Sequence, residues 1–291
     1  YSRADLVLKV GSLTLDELEL LRDEQTICAF WHLTARPREV TQALLDRRIT
    51  ALAYELIQRE NGALPVLRPL SEIAGLMAPQ IAARWLQNDS GGSGVLLGGL
   101  AGVPPSDVAI IGAGTVGFHA ARAFVGMGAR VFVLDKVLER LQYIEEHLHG
   151  NVATMGAYDF NINRVVQFIR VLVLAVLDPG ARAPILVTRE MVRLMRPRSV
   201  IIDFSIDQGG AVETSRPTTH TNPTFVEEGV IHYCVPNVPG VVGRTSTHAY
   251  INAAWPYIQK LAHEGTQAAF EADPALKHGV VVHGGQVYLN S

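Results

Sequence analysis

Ile110-Ile111-Gly112-Ala113-Gly114-Thr115-Val116-Gly117 permits very few architectures. The apolar run Asp107–Ile111 before it predicts a strand. Thr115–Met127 predicts a helix, and Arg130–Leu134 a second strand that ends at Asp135. Strand, Gly-x-Gly-x-x-Gly, helix, strand and acid in this order form the fingerprint of a dinucleotide-binding βαβ unit. Each glycine has its own task. Gly112 permits the tight turn off the strand, Gly114 lets the backbone approach a pyrophosphate, and Gly117 lets the helix pack closely on the sheet. The N–H groups at the start of the helix then face the phosphates. Asp135 lies 23 residues after Gly112, where a carboxylate reaches a ribose 2′-OH and repels a 2′-phosphate. The expected cofactor is therefore NAD rather than NADP. The bland alternative is a glycine-tight βα turn with no ligand.

With 291 residues, the chain has length for one large domain or two ordinary ones. A hydrophobic fraction of 48% with 18% charged residues describes a globular protein with a substantial core. A net charge of −3 argues against nucleic acid and anionic membranes as partners. Two cysteines, Cys28 and Cys234, make no disulfide framework, so a reducing, cytoplasmic setting is expected. The longest apolar run, Val171–Leu177, is far too short to span a bilayer, and no secretory signal is visible. The chain starts at Tyr1 rather than Met, so a translation start further upstream is expected.

The first sixty residues read β-α-β-α-β. Ala4–Val10, Thr26–Leu33 and Ile49–Leu56 are strand-like. Leu13–Arg22 is a helix whose Thr14 and Glu17 form a capping box, and Pro37–Arg47 is a helix with proline at its start. A turn-rich break at Asn61-Gly62-Ala63-Leu64-Pro65 precedes a long helix, Ser71–Gln87, expected to bridge two domains. From Asp107 onward strands alternate with helices: Asp107–Ile111, Arg130–Leu134, Asn151–Thr154, Val171–Leu177, Ser199–Asp203 and Val230–Cys234. That alternation predicts an α/β fold with a doubly wound parallel sheet of Rossmann type. Ser246–Gly265 reads as a long helix, and the residues after it give weak signals. The expected organisation is a nucleotide domain over 63–242 and a second, discontinuous α/β substrate domain over 1–62 and 243–291. The crevice between them is where a nicotinamide and a substrate are expected.

Chemistry-bearing side chains fall at strand ends. Lys9 lies near the end of the first strand, where it is either a crevice residue or a solvated lysine at a sheet edge. His32 ends the second strand. Its imidazole can protonate or hydrogen-bond a carbonyl oxygen, or it is a buried, satisfied histidine. Asp207, in Ile206-Asp207-Gln208-Gly209-Gly210, is a candidate acid or base on a loop, or a turn former. Asp203 competes with it for that role. Arg216–Pro223 and Pro236–Gly240 follow strand ends and are candidate crevice loops, the first equally readable as a rigid surface loop. No His-Glu-x-x-His or Cys-x-x-Cys is present, so a metal site is not expected.

Taken together, these segments resemble the alanine dehydrogenase and transhydrogenase family, along nearly the whole chain. The resemblance is carried by Ala4–Val10, the segment ending in His32-Leu33, Pro69–Gly75, Gly94–Gly99, the glycine fingerprint, Pro179–Pro184, Ile206–Gly210, Arg216–His220 and Arg244–Thr247. Within the family it lies nearer the alanine dehydrogenases. The resemblance implies that Lys9 binds the substrate carboxylate or carbonyl, that His32 hydrogen-bonds the pyruvate oxygen and moves protons, and that Asp207 assists water attack beside the nicotinamide. It implies Ser71 near the cofactor phosphates, Asp135 on the ribose and Asn237 in the nicotinamide pocket. It also implies NAD-dependent, reversible oxidative deamination of a small L-amino acid, and a homo-oligomer, often a hexamer in this family.

Three departures stand out. The family carries about sixty further N-terminal residues, including an arginine that grips the substrate carboxylate, and nothing here matches them. The lysine motif runs on as Val10-Gly11-Ser12-Leu13 rather than into Glu-Pro. Asp178-Pro179-Gly180 puts an acid where an apolar residue is usual. These departures leave open a related oxidoreductase acting on another amino acid or imine, or a catalytically silent NAD-binding homologue.

Overall fold

The computed structural model describes residues 1–33, 37–177 and 181–288. The Asp178-Pro179-Gly180 segment therefore lies outside the described residues. The chain runs through β1 (Leu6–Gly11), α1 (Leu15–Glu19), β2 (Thr26–Phe30), α2 (Arg38–Asp46), β3 (Thr50–Ala53) and a long helix α3 (Arg68–Leu86). The strand–helix alternation follows: β4 (Asp107–Ile111), α4 (Thr115–Gly126), β5 (Arg130–Asp135), α5 (Leu138–His147), β6 (Val152–Gly156), α6 (Asp159–Val166), β7 (Val171–Leu174), α7 (Arg189–Arg193) and β8 (Val200–Asp203). Then come β9 (Thr224–Glu227), β10 (Val230–Tyr233), α8 (Gly243–Glu264), α9 (Thr266–Ala272), α10 (Pro274–His278), β11 (Val280–His283) and β12 (Gln286–Val287).

Two compact units result. One holds Tyr1–Leu70 and the chain from Arg244 onward; the other holds residues 71–177 and Arg182–Gly243. The first is built on a five-stranded sheet in the order β1-β2-β3-β11-β12. Its first three strands are parallel and the last two antiparallel. Alternate residues of β2 and β3 serve opposite faces, as the two-residue period of a strand requires. Cys28, Phe30, Leu52 and Tyr54 face Tyr250, Ala254, Tyr257, Ile258 and Leu261 of α8. Ile27, Ala29, Ala51 and Ala53 pack instead with Leu18 of α1 and with Val40 and Leu44 of α2. Both faces are therefore covered, and every residue of these two strands is buried. The buried Cys28 thiol is pushed up to about 12 by desolvation.

The second unit is built on a seven-stranded sheet in the order β6-β5-β4-β7-β8-β10-β9. All its pairings are parallel except the β9–β10 hairpin at one edge. The order reverses at β4, which has β5 on one side and β7 on the other. That reversal is the topological switch point at which ligands of such sheets bind, beyond the carboxyl ends of the strands. Cys234, just after β10, is also buried, and its thiol is likewise pushed up to about 12. Among the described residues no helix is long and apolar enough to cross a membrane.

Several elements differ from the boundaries predicted from sequence, and the causes are local. The capping box at Thr14 and Glu17 forms, but α1 stops at Glu19. Leu20 and Leu21 continue it only through hydrogen bonds to Glu17 and Leu18, the tighter i→i+3 pattern of a frayed end. The apolar run after Val171 leaves the sheet at Leu174, opposite Ile111, where β4 gives way to the glycine turn. The strand expected over Thr26–Leu33 ends at Phe30, and that expected over Ile49–Leu56 ends at Ala53 and passes into a 3-10 turn, Tyr54–Leu56.

One buried imidazole gives the second unit a pH dependence. His232 on β10 is fully buried, its Nδ1 donates to the Val230 carbonyl at 3.0 Å, and its Nε2 accepts from Thr214 Oγ1 at 2.7 Å. Both ring nitrogens are thus used by the neutral ring, and burial holds its pKa below the ordinary 6.5. The unfolded chain therefore binds this proton first on acidification. Its stability contribution is complete above pH 6.5 and is lost as the pH falls toward the depressed folded value. Melting curves between about pH 8 and pH 5 are expected to show a falling Tm that flattens in His232→Leu. Equal acid sensitivity in both proteins would remove His232 as the cause.

Candidate active site

In each unit the chemistry-bearing side chains stand at the carboxyl ends of parallel strands. In the second unit the cradle begins at Gly112, whose φ of +107° is the left-handed backbone an L side chain rarely adopts. A Cβ there would also strike the carbonyl of Ala175, just past β7. At Gly117 a Cβ would run into the carbonyl of Gly112 itself, so the first turn of α4 lies directly on the turn that feeds it. Gly114 is different, because a Cβ there meets nothing within 4 Å. Gly114 is the N-cap of α4 and brings no side chain to cap the N–H groups that follow it. Among the described residues there is open space at this helix N-terminus, which suits a phosphate. Asp135, buried at the end of β5, closes the rim. Its Oδ2 accepts the Ala113 N–H at 2.7 Å, its Oδ1 accepts the Val137 N–H at 2.9 Å, and Arg140 Nη1 stands 3.7 Å from Oδ2. The space, the donors and the acid are those that a dinucleotide requires.

Ser71 lies on α3, one helical turn before Gly75. A Cβ on Gly75 would fall 2.8 Å from His119 Cβ and 2.9 Å from the Ala120 nitrogen, so α3 meets α4 backbone to backbone. Glu72 and His119 add a contact of 3.7 Å across the same seam.

The two competing aspartates separate by environment. Asp203, at the end of β8, is 1% exposed and accepts from Ser205 N at 3.0 Å, Ala211 N at 3.0 Å and Ser215 Oγ at 2.7 Å. Burial raises its pKa, and those three donors oppose the rise. Asp203 is thereby committed to folding the 3-10 turn Phe204–Gln208. Asp207 rides on that turn, half-buried, and its Oδ1 accepts the Asn237 N–H at 3.2 Å. Asn237 itself adopts a left-handed φ of +52° after β10. Asp207 and Asn237, far apart in sequence, are therefore brought together. The loop 216–223 is stiffened by Arg216 over the Phe225 ring at 4.3 Å and by Thr218 Oγ1 donating to the Pro223 carbonyl at 3.0 Å.

In the first unit, Lys9 sits where the β1–β2 register shifts between Leu8 and Gly11. Its ammonium pairs with Glu17 and also donates to the Ser12 carbonyl at 3.4 Å. The Lys9 ammonium holds the Glu17 carboxyl down at about 2. His32 lies two residues past β2, half-buried, in a left-handed φ of +45°. Sequence reasoning missed its partner, Glu55, on the 3-10 turn after β3. Glu55 is 7% exposed; it accepts the Trp31 N–H at 3.2 Å through Oε2 and the His32 N–H at 2.6 Å through Oε1. Its position, an acid just after an apolar strand, repeats that of Asp135 and was the available signal. Among the described residues no group of three or more His, Cys, Asp or Glu is placed to hold a metal ion.

Two family models match the chain. "Alanine dehydrogenase/PNT, N-terminal domain" covers residues 1–74, and "Alanine dehydrogenase/PNT, C-terminal domain" covers residues 78–290. An alanine dehydrogenase of Methanococcus maripaludis is 46% identical over 99% of this chain and 77% of its own length. One of Mycolicibacterium smegmatis is 44% identical over 99% of this chain and 77% of its own. A solved L-alanine dehydrogenase superposes with a TM-score of 0.89 at 43% identity, covering 98% of this chain and 78% of that one. A transhydrogenase from Sinorhizobium meliloti shares the fold, with a TM-score of 0.78 at 23% identity over 98% of this chain and 79% of that one.

The glycines separate folding from binding. Gly117→Val, driven into the Gly112 carbonyl, is expected to cost about 2–3 kcal/mol in denaturant unfolding. Gly114→Val is expected to leave stability within about 1 kcal/mol and to weaken dinucleotide binding at least tenfold, because its side chain enters the open space. Equal stability losses in the two variants would contradict this division.

Proposed function

The chain belongs to the alanine dehydrogenase/PNT family, and from that premise we propose that it is an oxidoreductase converting L-alanine, water and NAD⁺ reversibly to pyruvate, ammonium, NADH and a proton. The observation that carries the reading is the glycine cradle closed by Asp135, a dinucleotide seat at the switch point of the sheet. The Asp135 carboxylate at the end of β5 supports NAD over NADP, because a negative charge there disfavours a 2′-phosphate. When bound, the nicotinamide supplies the hydride acceptor.

The remaining work falls to side chains. Gly112, Gly114 and Gly117 admit the pyrophosphate, Ser71 lies near it, and Asp135 holds the ribose. Asn237 lines the nicotinamide pocket and steadies Asp207 through its N–H. Asp207 takes the proton of the water that replaces the amino group. Lys9, an ammonium at a strand end, neutralises the substrate carboxylate or the developing oxygen charge, sharing itself with Glu17. His32 has Nδ1 toward Glu55, at 3.9 Å. Its Nε2 is then the atom that holds and releases a proton at the substrate oxygen. The active form is a homo-oligomer, such as a hexamer.

The direct test follows NADH formation by absorbance, with L-alanine and NAD at alkaline pH and other small L-amino acids alongside. Preferred turnover of L-alanine is expected; a preference for another amino acid would replace the substrate and keep the chemistry. Asp207→Asn is expected to lower kcat about a hundredfold (roughly 3 kcal/mol). Asp135→Ala should weaken NAD binding about tenfold, and unchanged affinity would remove Asp135 from the ribose site.

A further inference from the structure

We propose that Glu55 is the positioning residue of His32: a buried carboxylate that clamps the backbone of the loop after β2 and so fixes where the imidazole stands. The inference rests on the reading of His32 as a proton-handling group. Three observations carry it. His32 holds a φ of +45°, a left-handed conformation that an L residue rarely adopts unless its surroundings impose it. Both oxygens of one carboxylate accept the two consecutive N–H groups that lead into that conformation, from Trp31 and His32. The Oε1 that accepts the His32 N–H also lies 3.9 Å from His32 Nδ1, longer than a hydrogen bond, so the clamp acts through the backbone from which the ring projects.

The clamp is costly to build unless it is used. Glu55 is nearly inaccessible, and a carboxylate taken out of water requires donors in return. The two donors lie past the end of β2, where among the described residues no backbone carbonyl accepts them. Turn geometry alone would be satisfied by a short side chain such as Asp or Asn within the loop itself. Glu55 instead reaches in from the adjacent strand end and ties the β2 and β3 termini together. Glu55→Gln keeps the shape but replaces one acceptor oxygen with an NH₂ that faces a backbone N–H, donor against donor.

A double-mutant cycle tests this, using the full chain with saturating L-alanine and NAD. Glu55→Gln alone is expected to lower kcat about ten- to a hundredfold, with the KM for NAD unchanged. In a His32→Asn background the same substitution is expected to cost less than about twofold, because the group it positions is already gone. Equal losses in both backgrounds would mark Glu55 as a structural residue and overturn the proposal, as would an unaltered kcat in Glu55→Gln. Full activity in His32→Asn alone would instead overturn the role given to His32. Amide hydrogen exchange on the unmutated protein supplies an arm that needs no variant to fold. The Trp31 and His32 amides are expected to be protected, and free exchange there would overturn the clamp.

Discussion

Close approach of bare backbone holds the nucleotide unit together. Gly117 lies on the Gly112 carbonyl, Gly112 on the Ala175 carbonyl, and Gly75 on the first turns of α4. These contacts join helix to turn, strand end to strand end, and helix to helix. At each of them a methyl group would force two main chains apart. Interiors pack too densely to absorb such a shift, so the position of the α4 N-terminus is set by the absence of side chains. Gly114 belongs to the same motif, but among the described residues a Cβ there would meet nothing within 4 Å, and that space is the one proposed for the pyrophosphate.

Carboxylates after strand ends recur as a second device. Asp135 ends β5 and accepts an N–H from the turn after β4, its neighbour in the sheet. Glu55 follows β3 and accepts two from the loop after β2, its neighbour in the other sheet. Asp203, at the end of β8, folds its own loop. In parallel sheets all carboxyl ends lie on one side, so their loops are neighbours without ladder partners. An acid that reaches across satisfies those orphan donors and fixes the loop at once. This accounts for the candidate side chains being held firmly outside regular structure.

Much of this was legible from residues alone. The glycine spacing, the strand–helix alternation and the acid at Asp135 marked six of the seven strands of this sheet, with the strand at Val171 read three residues too long. The proximity of Asp207 and Asn237 came only through family resemblance, because no local pattern links residues on loops after different strands. Glu55 was hidden by the largely apolar run Ile49–Leu56, which reads as one buried strand and concealed the 3-10 turn that carries the carboxylate. The hairpin strand β9 was missed because the polar, proline-bearing stretch before it reads as loop. Its turn, Glu228-Gly229, carries positive φ at both positions, as does Gly284-Gly285 between β11 and β12. Those pairs mark turns, but the partner of β11 is β3, more than two hundred residues earlier, and pairing at that range leaves no trace in local sequence.

The two cysteines are distributed one to each unit: Cys28 in the interior of β2, and Cys234 just beyond β10. Both thiols are buried and both are held protonated far above neutrality, so neither meets an alkylating reagent while its own unit is closed. The rate at which each is modified therefore clocks the opening of the unit that contains it. Without any engineering, the chain carries a separate built-in stopwatch for the breathing of each half.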